Sequence, residues 1–415
     1  MIANKGLNMG KQHDELYKDN QLIRVKNINF AKIVAMKFAT KAIHAGVEPD
    51  PSTGAIMTPI FQTSTYVQDA PGMHKGYEYA RTQNPTRHAL ERNLAALENG
   101  SHGICFSSGM AAVDGAIKLL SQGDEVISTN DLYGGTYRSF TKIYTRFGLG
   151  FHFTDMTNPQ NILPLINAKT RMIWVETPTN PMLSIIDLAA VSAIAKSNGL
   201  LLVVDNTFAS PYLQNPLDLG ADIVLHSATK YLGGHSDVVS GALIVKDPEL
   251  AQQLYFIQNG NGAVPGPQDC FLVLRGIKTL HLRVQRACEN AAQVAHFLRT
   301  HPKVDKVYWP GFEDHPNHNI AKKQMRGFGG MVSFTLKGDD FEAATKILSN
   351  THLFSLAESL GGIESLIGHP ASMTHASIPK EERMKTGLLD SLIRLSVGVE
   401  DAEDLIHDLK NALNA

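Results

Sequence analysis

A lysine standing just past an apolar run is the first group in this sequence to account for. In Ile223–His226 followed by Ser227-Ala228-Thr229-Lys230-Tyr231-Leu232-Gly233-Gly234, Lys230 sits between hydroxyls and glycines where a β-rich run ends. Lysine is ordinarily a surface residue. One drawn into a desolvated site loses its proton readily and becomes a nucleophile. Asp205 closes the run Leu200–Val204, so its carboxylate is desolvated and needs a partner. Tyr133 precedes Gly134-Gly135, where the backbone can approach another group closely and the ring can stack. Ser107-Ser108-Gly109-Met110-Ala111-Ala112 opens a helix, whose free N–H groups and dipole favour an anion. Taken singly, each has a plainer reading: a loop lysine, a helix-capping aspartate, a packed tyrosine in a surface turn, an ordinary N-cap. A metal is not expected, because no His/Asp cluster accompanies Asp205.

The elements that must position these groups alternate regularly. Short β-rich runs occur at Gly103–Phe106, Glu125–Thr129, Phe151–Thr154, Met172–Glu176, Leu200–Asp205, Ile223–His226 and Ala242–Val245. Helical patterns such as Met110–Leu120 and Leu188–Lys196 separate the first five. That alternation predicts a mostly parallel seven-stranded sheet covered on both faces. Ligands of such sheets bind beyond the carboxyl ends of the strands, which is where all four groups fall. One cofactor needs all of them together: pyridoxal 5'-phosphate. Its aldehyde takes a lysine, its pyridine nitrogen a carboxylate, its ring a stacking face, and its phosphate a helix N-terminus with hydroxyls. Lys230, Asp205, Tyr133, and Gly109/Met110 with Ser227/Thr229 would supply these.

The chain has 415 residues, so two or three domains are expected. A net charge of -2 gives no electrostatic case for nucleic acid or an anionic membrane. Cys105, Cys270 and Cys288 form no CxxC pair, which argues against a disulfide scaffold and a cysteine zinc site. The apolar runs are strand-length, far short of a membrane span, and a cytoplasmic enzyme is expected. Residues 1–35 read as a disordered extension ahead of Met36. Their acidic residues Asp14, Glu15 and Asp19 argue against a transit peptide. Residues 36–85 read as an arm, 86–278 as the large α/β domain, and 279–415 as a smaller α/β domain with strands at Met331–Leu336 and Leu392–Val399. His88–Glu98 reads as a helix that Gly100 ends, and Asp404–Leu413 as the closing helix.

The motifs in order resemble the Cys/Met-metabolism family of pyridoxal-phosphate enzymes, which have the fold-type I architecture. They include Tyr77-Glu78-Tyr79-Ala80-Arg81, Asn84-Pro85-Thr86, Ser108-Gly109-Met110, Asp131-Leu132-Tyr133-Gly134-Gly135-Thr136 and Glu176-Thr177-Pro178-Thr179-Asn180-Pro181. Asp205-Asn206-Thr207, Ser227-Ala228-Thr229-Lys230-Tyr231, Glu358-Ser359-Leu360-Gly361-Gly362, Met373-Thr374-His375-Ala376 and Leu392-Ile393-Arg394-Leu395-Ser396 complete the set. The resemblance implies that Lys230 carries the cofactor, Asp205 pairs with its ring nitrogen, and Tyr133 stacks on the ring. Ser108, Gly109, Met110, Ser227 and Thr229 become same-chain phosphate contacts, and Asn180 lies near the ring oxygen. Tyr79 and Arg81 would reach the phosphate in a neighbouring subunit, so a dimer-built tetramer with shared sites is implied. Arg394 would hold the substrate carboxylate, with Ser359, Glu358 and Arg138 as further substrate-side groups. By alternation alone, Arg394 reads as a solvent-facing strand arginine.

The resemblance also implies a reaction in which the substrate amine first displaces Lys230 and the freed lysine then takes the Cα proton, with Lys230 and Tyr133 as the acid/base pair. Gly135 stands where methionine γ-lyases typically carry Cys. Glu358 before Ser-Leu-Gly-Gly fits cystathionine γ-lyases and γ-synthases, where it could receive the distal amine of L-cystathionine. Residues 258–265 look more like γ-lyases. The expectation is therefore cystathionine γ-lyase, with γ-synthase as the alternative and β-lyase or methionine γ-lyase behind. A nucleotide-binding oxidoreductase would need G-x-G-x-x-G after the first strand, which is absent.

Overall fold

The computed structural model describes residues 36–376 and 380–415. The extension expected over residues 1–35 lies outside them. The seven expected strands form one sheet: β1 (His102–Phe106), β2 (Glu125–Thr129), β3 (Gly150–Thr154), β4 (Thr170–Glu176), β5 (Leu201–Asp205), β6 (Ile223–Ser227) and β7 (Gly241–Val245). Their spatial order is β1-β7-β6-β5-β4-β2-β3. Strands β3, β2, β4, β5 and β6 run parallel. β7 runs antiparallel to both β6 and β1. Val, Ile and Leu on both faces of the central strands are buried, as helices cover the sheet on each side.

Local signals set where the helices start. Asn84 caps Pro85–Leu97 by accepting the N–H groups of Thr86 and Arg87, with Pro85 at the first helical position. Ser108 caps Gly109–Ile117 by accepting the Ala111 N–H at 3.0 Å. The first of these helices ends differently from the sequence expectation. Asn99, not Gly100, takes the left-handed conformation, with φ 56°, a position asparagine tolerates. Gly100 serves packing: a Cβ there would lie 2.5 Å from Ile244.

A second, five-stranded sheet has the order β10-β11-β12-β9-β8. Its strands are β8 (Val304–Tyr308), β9 (Met331–Leu336), β10 (Ser355–Leu356), β11 (Leu366–Gly368) and β12 (Ile393–Ser396). The closing helix, Ala402–Asn414, packs beside it. The long helix Leu280–Thr300 belongs to both halves. Leu280 and Val284 lie in the core beneath the large sheet, and Ala291, Val294, Ala295 and Leu298 in the core of the small one. Among the described residues, no helix is long and apolar enough to cross a membrane.

Candidate active site

Beyond the carboxyl ends of β4, β5 and β6, a cavity of about 370 Å³ gathers most of the groups named from the sequence. One wall is the helix entrance Ser108, Gly109 and Met110, with Ser227 and Thr229 beside it. These pack tightly because glycine stands where it must. A Cβ on Gly109 would lie 2.9 Å from Ser227 Cβ, and one on Gly241 would lie 2.1 Å from the Ser108 carbonyl oxygen. The result is a cradle at a helix start, where backbone N–H groups lack helical partners.

Lys230 enters the cavity from the turn after β6, and its Nζ donates to Ser359 Oγ at 2.9 Å. Burial, reinforced by the charge of Arg394 and opposed by Glu358, draws its ammonium down to about 8. Near neutral pH an appreciable share of this lysine is therefore an uncharged amine.

Asp205 and Glu176 end adjacent parallel strands in direct register. Burial raises the Asp205 carboxyl, against which the Thr207 hydroxyl and N–H stabilise its anion; the N–H donates at 3.0 Å. Burial, and then the charge of Asp205, push Glu176 well above the carboxylate range. Two neighbouring carboxyls cannot both ionise cheaply in a desolvated site. Burial thus favours the proton on Glu176, while the Thr207 donors favour the anion at Asp205. The Tyr133 N–H donates to Glu176 Oε2 at 2.9 Å, which brings the Tyr133 ring to the cavity wall.

Arg394 is 5 % exposed and faces inward from β12, so the solvent-facing reading of its alternation is overturned. Its guanidinium donates to Asn180 Oδ1 at 2.8 Å and to the Ser359 carbonyl at 3.0 Å. Burial lowers it to about 10, leaving it cationic at neutral pH. Ser359 holds φ 134°, an unusual backbone for a side-chain-bearing residue. Glu358 is exposed and stands on the same cavity.

Three of the expected residues are elsewhere. Arg138 ends the short helix Gly134–Arg138, is exposed, and does not line the cavity. Tyr79 and Arg81 lie on the arm, also off this cavity and exposed. The Arg81 guanidinium donates to Asn259, to its carbonyl at 2.5 Å and to its Oδ1 at 3.0 Å. Conversely, the sequence reading gave no role to Glu176, Thr374 or Thr207, all of which line the cavity. Glu176 carried the same signal as Asp205, a carboxylate closing the apolar run Met172–Val175. A larger cavity of about 590 Å³, bordered by Asp131, Met182 and Trp309, lies apart from Lys230.

The donor set of the smaller cavity fits pyridoxal phosphate: an amine drawn down by burial, a charged carboxylate, an aromatic ring, and a glycine-built cradle with hydroxyls. Among the described residues no group of His, Cys, Asp and Glu could hold a metal ion.

Fold and site define a fold-type I pyridoxal-phosphate enzyme. Residues 39–414 match the model of the Cys/Met metabolism PLP-dependent enzyme family, and the chain belongs to that family. It is 56 % identical over 376 residues to a cystathionine beta-lyase of Coxiella burnetii, covering 90 % of this chain and 97 % of that one. It is 53 % identical over 378 residues to a cystathionine gamma-lyase of Bacillus subtilis, covering 91 % and 99 %. Other relatives at 53 % identity are named cystathionine gamma-synthase. A solved structure of cystathionine gamma-lyase from Lactobacillus plantarum, complexed with L-serine, superposes with a TM-score of 0.89 at 46 % identity, over 91 % of this chain and 99 % of that one. The chain is thus a trans-sulfuration enzyme dependent on pyridoxal phosphate, within a group whose members differ in reaction.

Proposed function

We propose that this enzyme is a cystathionine γ-lyase, converting L-cystathionine to L-cysteine, 2-oxobutanoate and ammonia. The observation that carries the proposal is Glu358. Its carboxylate stands on the cavity that holds Lys230 and Arg394, and the charges of Glu358, Lys230 and Arg394 act on one another. A substrate bearing an amino-acid group at each end would place one carboxylate on Arg394 and the distal ammonium on Glu358. Gly135 in the tyrosine motif speaks against methionine γ-lyase, and residues 258–265 favour the γ-lyase side.

Lys230, Asp205, Tyr133 and the cradle from Ser108 to Met110 with Ser227 and Thr229 would hold the cofactor, with Asn180 beside its ring. When bound, the cofactor supplies an aldehyde that takes up the substrate amine and a protonated ring that draws negative charge from Cα. The chain's own groups do the rest. Arg394, oriented by Asn180 and the Ser359 carbonyl, fixes the carboxylate and hence the Cα–H bond. Lys230 Nζ, with its lowered proton affinity, takes the Cα proton and then serves at Cβ. Tyr133, on the wall of the same cavity, serves as the partner for the departing sulfur. Ser359 Oγ steers the amine.

Tyr79 and Arg81, exposed and off their own cavity, are proposed to complete the phosphate cradle of a second copy, which supports a dimer-built tetramer. Exposed Ile56, Val67 and Met73 on the same arm give that contact an apolar face. Three free cysteines fit a reducing cytoplasm.

Other relatives' names point to other outcomes, β-elimination from the cystathionine beta-lyase at 56 % and γ-replacement from the cystathionine gamma-synthases at 53 %. Mass spectrometry of products decides among the three, using cofactor-loaded protein. L-Cystathionine alone yields cysteine and 2-oxobutanoate under the γ-lyase reading, and pyruvate with homocysteine under the β-lyase reading. Efficient cystathionine formation from an O-acylated homoserine and L-cysteine would make it a γ-synthase.

A further inference from the structure

The peptide group joining Leu132 to Tyr133 is gripped at both polar ends. Its N–H donates to Glu176 Oε2 at 2.9 Å. Its carbonyl oxygen, on Leu132, lies 3.2 Å from His375 Nε2. The same Nε2 lies 3.1 Å from the Asn180 carbonyl oxygen. Both contacts are acceptors, so Nε2 carries the proton. Nδ1, 2.8 Å from Thr374 Oγ1, then accepts from that hydroxyl. His375 is 2 % exposed, and burial keeps it neutral by drawing it down to about 4.

The two grips come from different halves of the molecule. Glu176 ends β4 of the large sheet, whereas His375 follows β11 of the small one. Contact continues one residue further along. A Cβ on Gly134 would lie 2.2 Å from the Thr374 carbonyl oxygen, so only glycine lets the loop seat against the tyrosine turn.

We propose that His375 is a positioning residue. Through the carbonyls of Leu132 and Asn180 it fixes the Tyr133 ring against the cofactor, and it steadies the Asn180 loop whose side chain orients Arg394. A loop of the small domain thereby sets the geometry of a cavity built mostly by the large one. The proposal rests on the reading of Tyr133 as the stacking platform.

The test compares four holoenzyme variants with the parent. His375→Gln keeps an N–H at nearly the reach of Nε2, His375→Leu fills the space without a donor, Gly134→Ala wedges the loop away, and Tyr133→Leu removes the platform. The readouts are the visible circular dichroism of bound pyridoxal phosphate, its dissociation constant, kcat, KM and the melting midpoint. His375→Leu and Gly134→Ala are expected to change the dichroic band and weaken cofactor binding about 10-fold, with kcat down about 10- to 100-fold. His375→Gln should stay within about threefold of the parent. A folded His375→Leu with parental dichroism and kcat overturns the proposal, as does a His375→Gln no better than His375→Leu when both melt like the parent. Should His375→Leu not fold, Gly134→Ala decides: parental dichroism and kcat there overturn it. Unchanged dichroism in Tyr133→Leu overturns the platform reading, and the proposal with it. A changed band in Tyr133→Leu beside a parental His375→Leu overturns the positioning role alone.

Discussion

Glu176 and Asp205 sit side by side at the ends of β4 and β5, two buried carboxyls in register facing one cavity. Burial raises both, Glu176 the further, and the Thr207 donors favour the anion at Asp205. Removing the charge at Asp205 should therefore cost far more than removing the proton site at Glu176. Asp205→Asn is expected to lower kcat by about 100-fold or more. Glu176→Gln keeps the acceptor for the Tyr133 N–H and should lose about 10-fold or less. Steady-state kinetics on both variants checks the order.

Lys230 titrates at about 8 within the cavity, and only the neutral amine attacks an aldehyde. Capture of pyridoxal phosphate by the cofactor-free protein should speed up as pH rises through about 8 and then level off. Stopped-flow absorbance reads this directly. Lys230→Ala should show no covalent capture and no visible band at any pH.

Arg394 offers a planar fork held by two acceptors, a geometry lysine cannot reproduce. Arg394→Lys should raise KM for L-cystathionine about 10-fold or more while the charge is retained. Initial-rate measurements with a thermal melt separate lost binding from lost fold.

Tyr79 and Arg81 make no use of their own chain's cavity. Inactive Arg81→Ala and Lys230→Ala chains, mixed under verified subunit exchange, should regain activity as hybrids. Each hybrid pair rebuilds one intact site from two defective chains. No recovery would remove the shared-site reading.

His375 stays neutral in the fold until the pH approaches 4, against an ordinary value of 6.5. The unfolded chain thus binds this proton first. Its contribution to stability is full above about pH 6.5 and is lost as the pH falls from there toward 4. Urea midpoints should decline over that window, and less steeply in His375→Gln.

The large sheet was legible in the sequence because its strands are short, apolar and spaced by helical patterns. β1 to β7 fall within a residue or two of the expected runs. Lys230, Asp205 and Ser108–Met110 were legible for the same reason, since each stands where a strand gives way to a helix or turn. Arg394 was not. Alternation along β12 shows which residues share a face, but it does not show that both faces are covered, and the cavity that receives Arg394 belongs to the other sheet. Glu176 shares the mark of Asp205, a carboxylate closing an apolar strand, but its partner is the Tyr133 backbone N–H, which no residue type announces. Asn99 displaced Gly100 as the left-handed residue because asparagine tolerates that conformation and glycine was needed for clearance. Arg138, Tyr79 and Arg81 show the opposite limit: their roles came only from resemblance, and a single chain places none of them at its own cavity.

The helix Leu280–Thr300 acts as a spar built into both halves of the molecule. Its 21 residues are anchored in one core by Leu280 and Val284 and in the other by Val294 and Leu298. Neither half can melt without stripping the apolar face of a rod that the other is still holding. Loss of either core would therefore bare apolar surface on a rod whose other end is still packed.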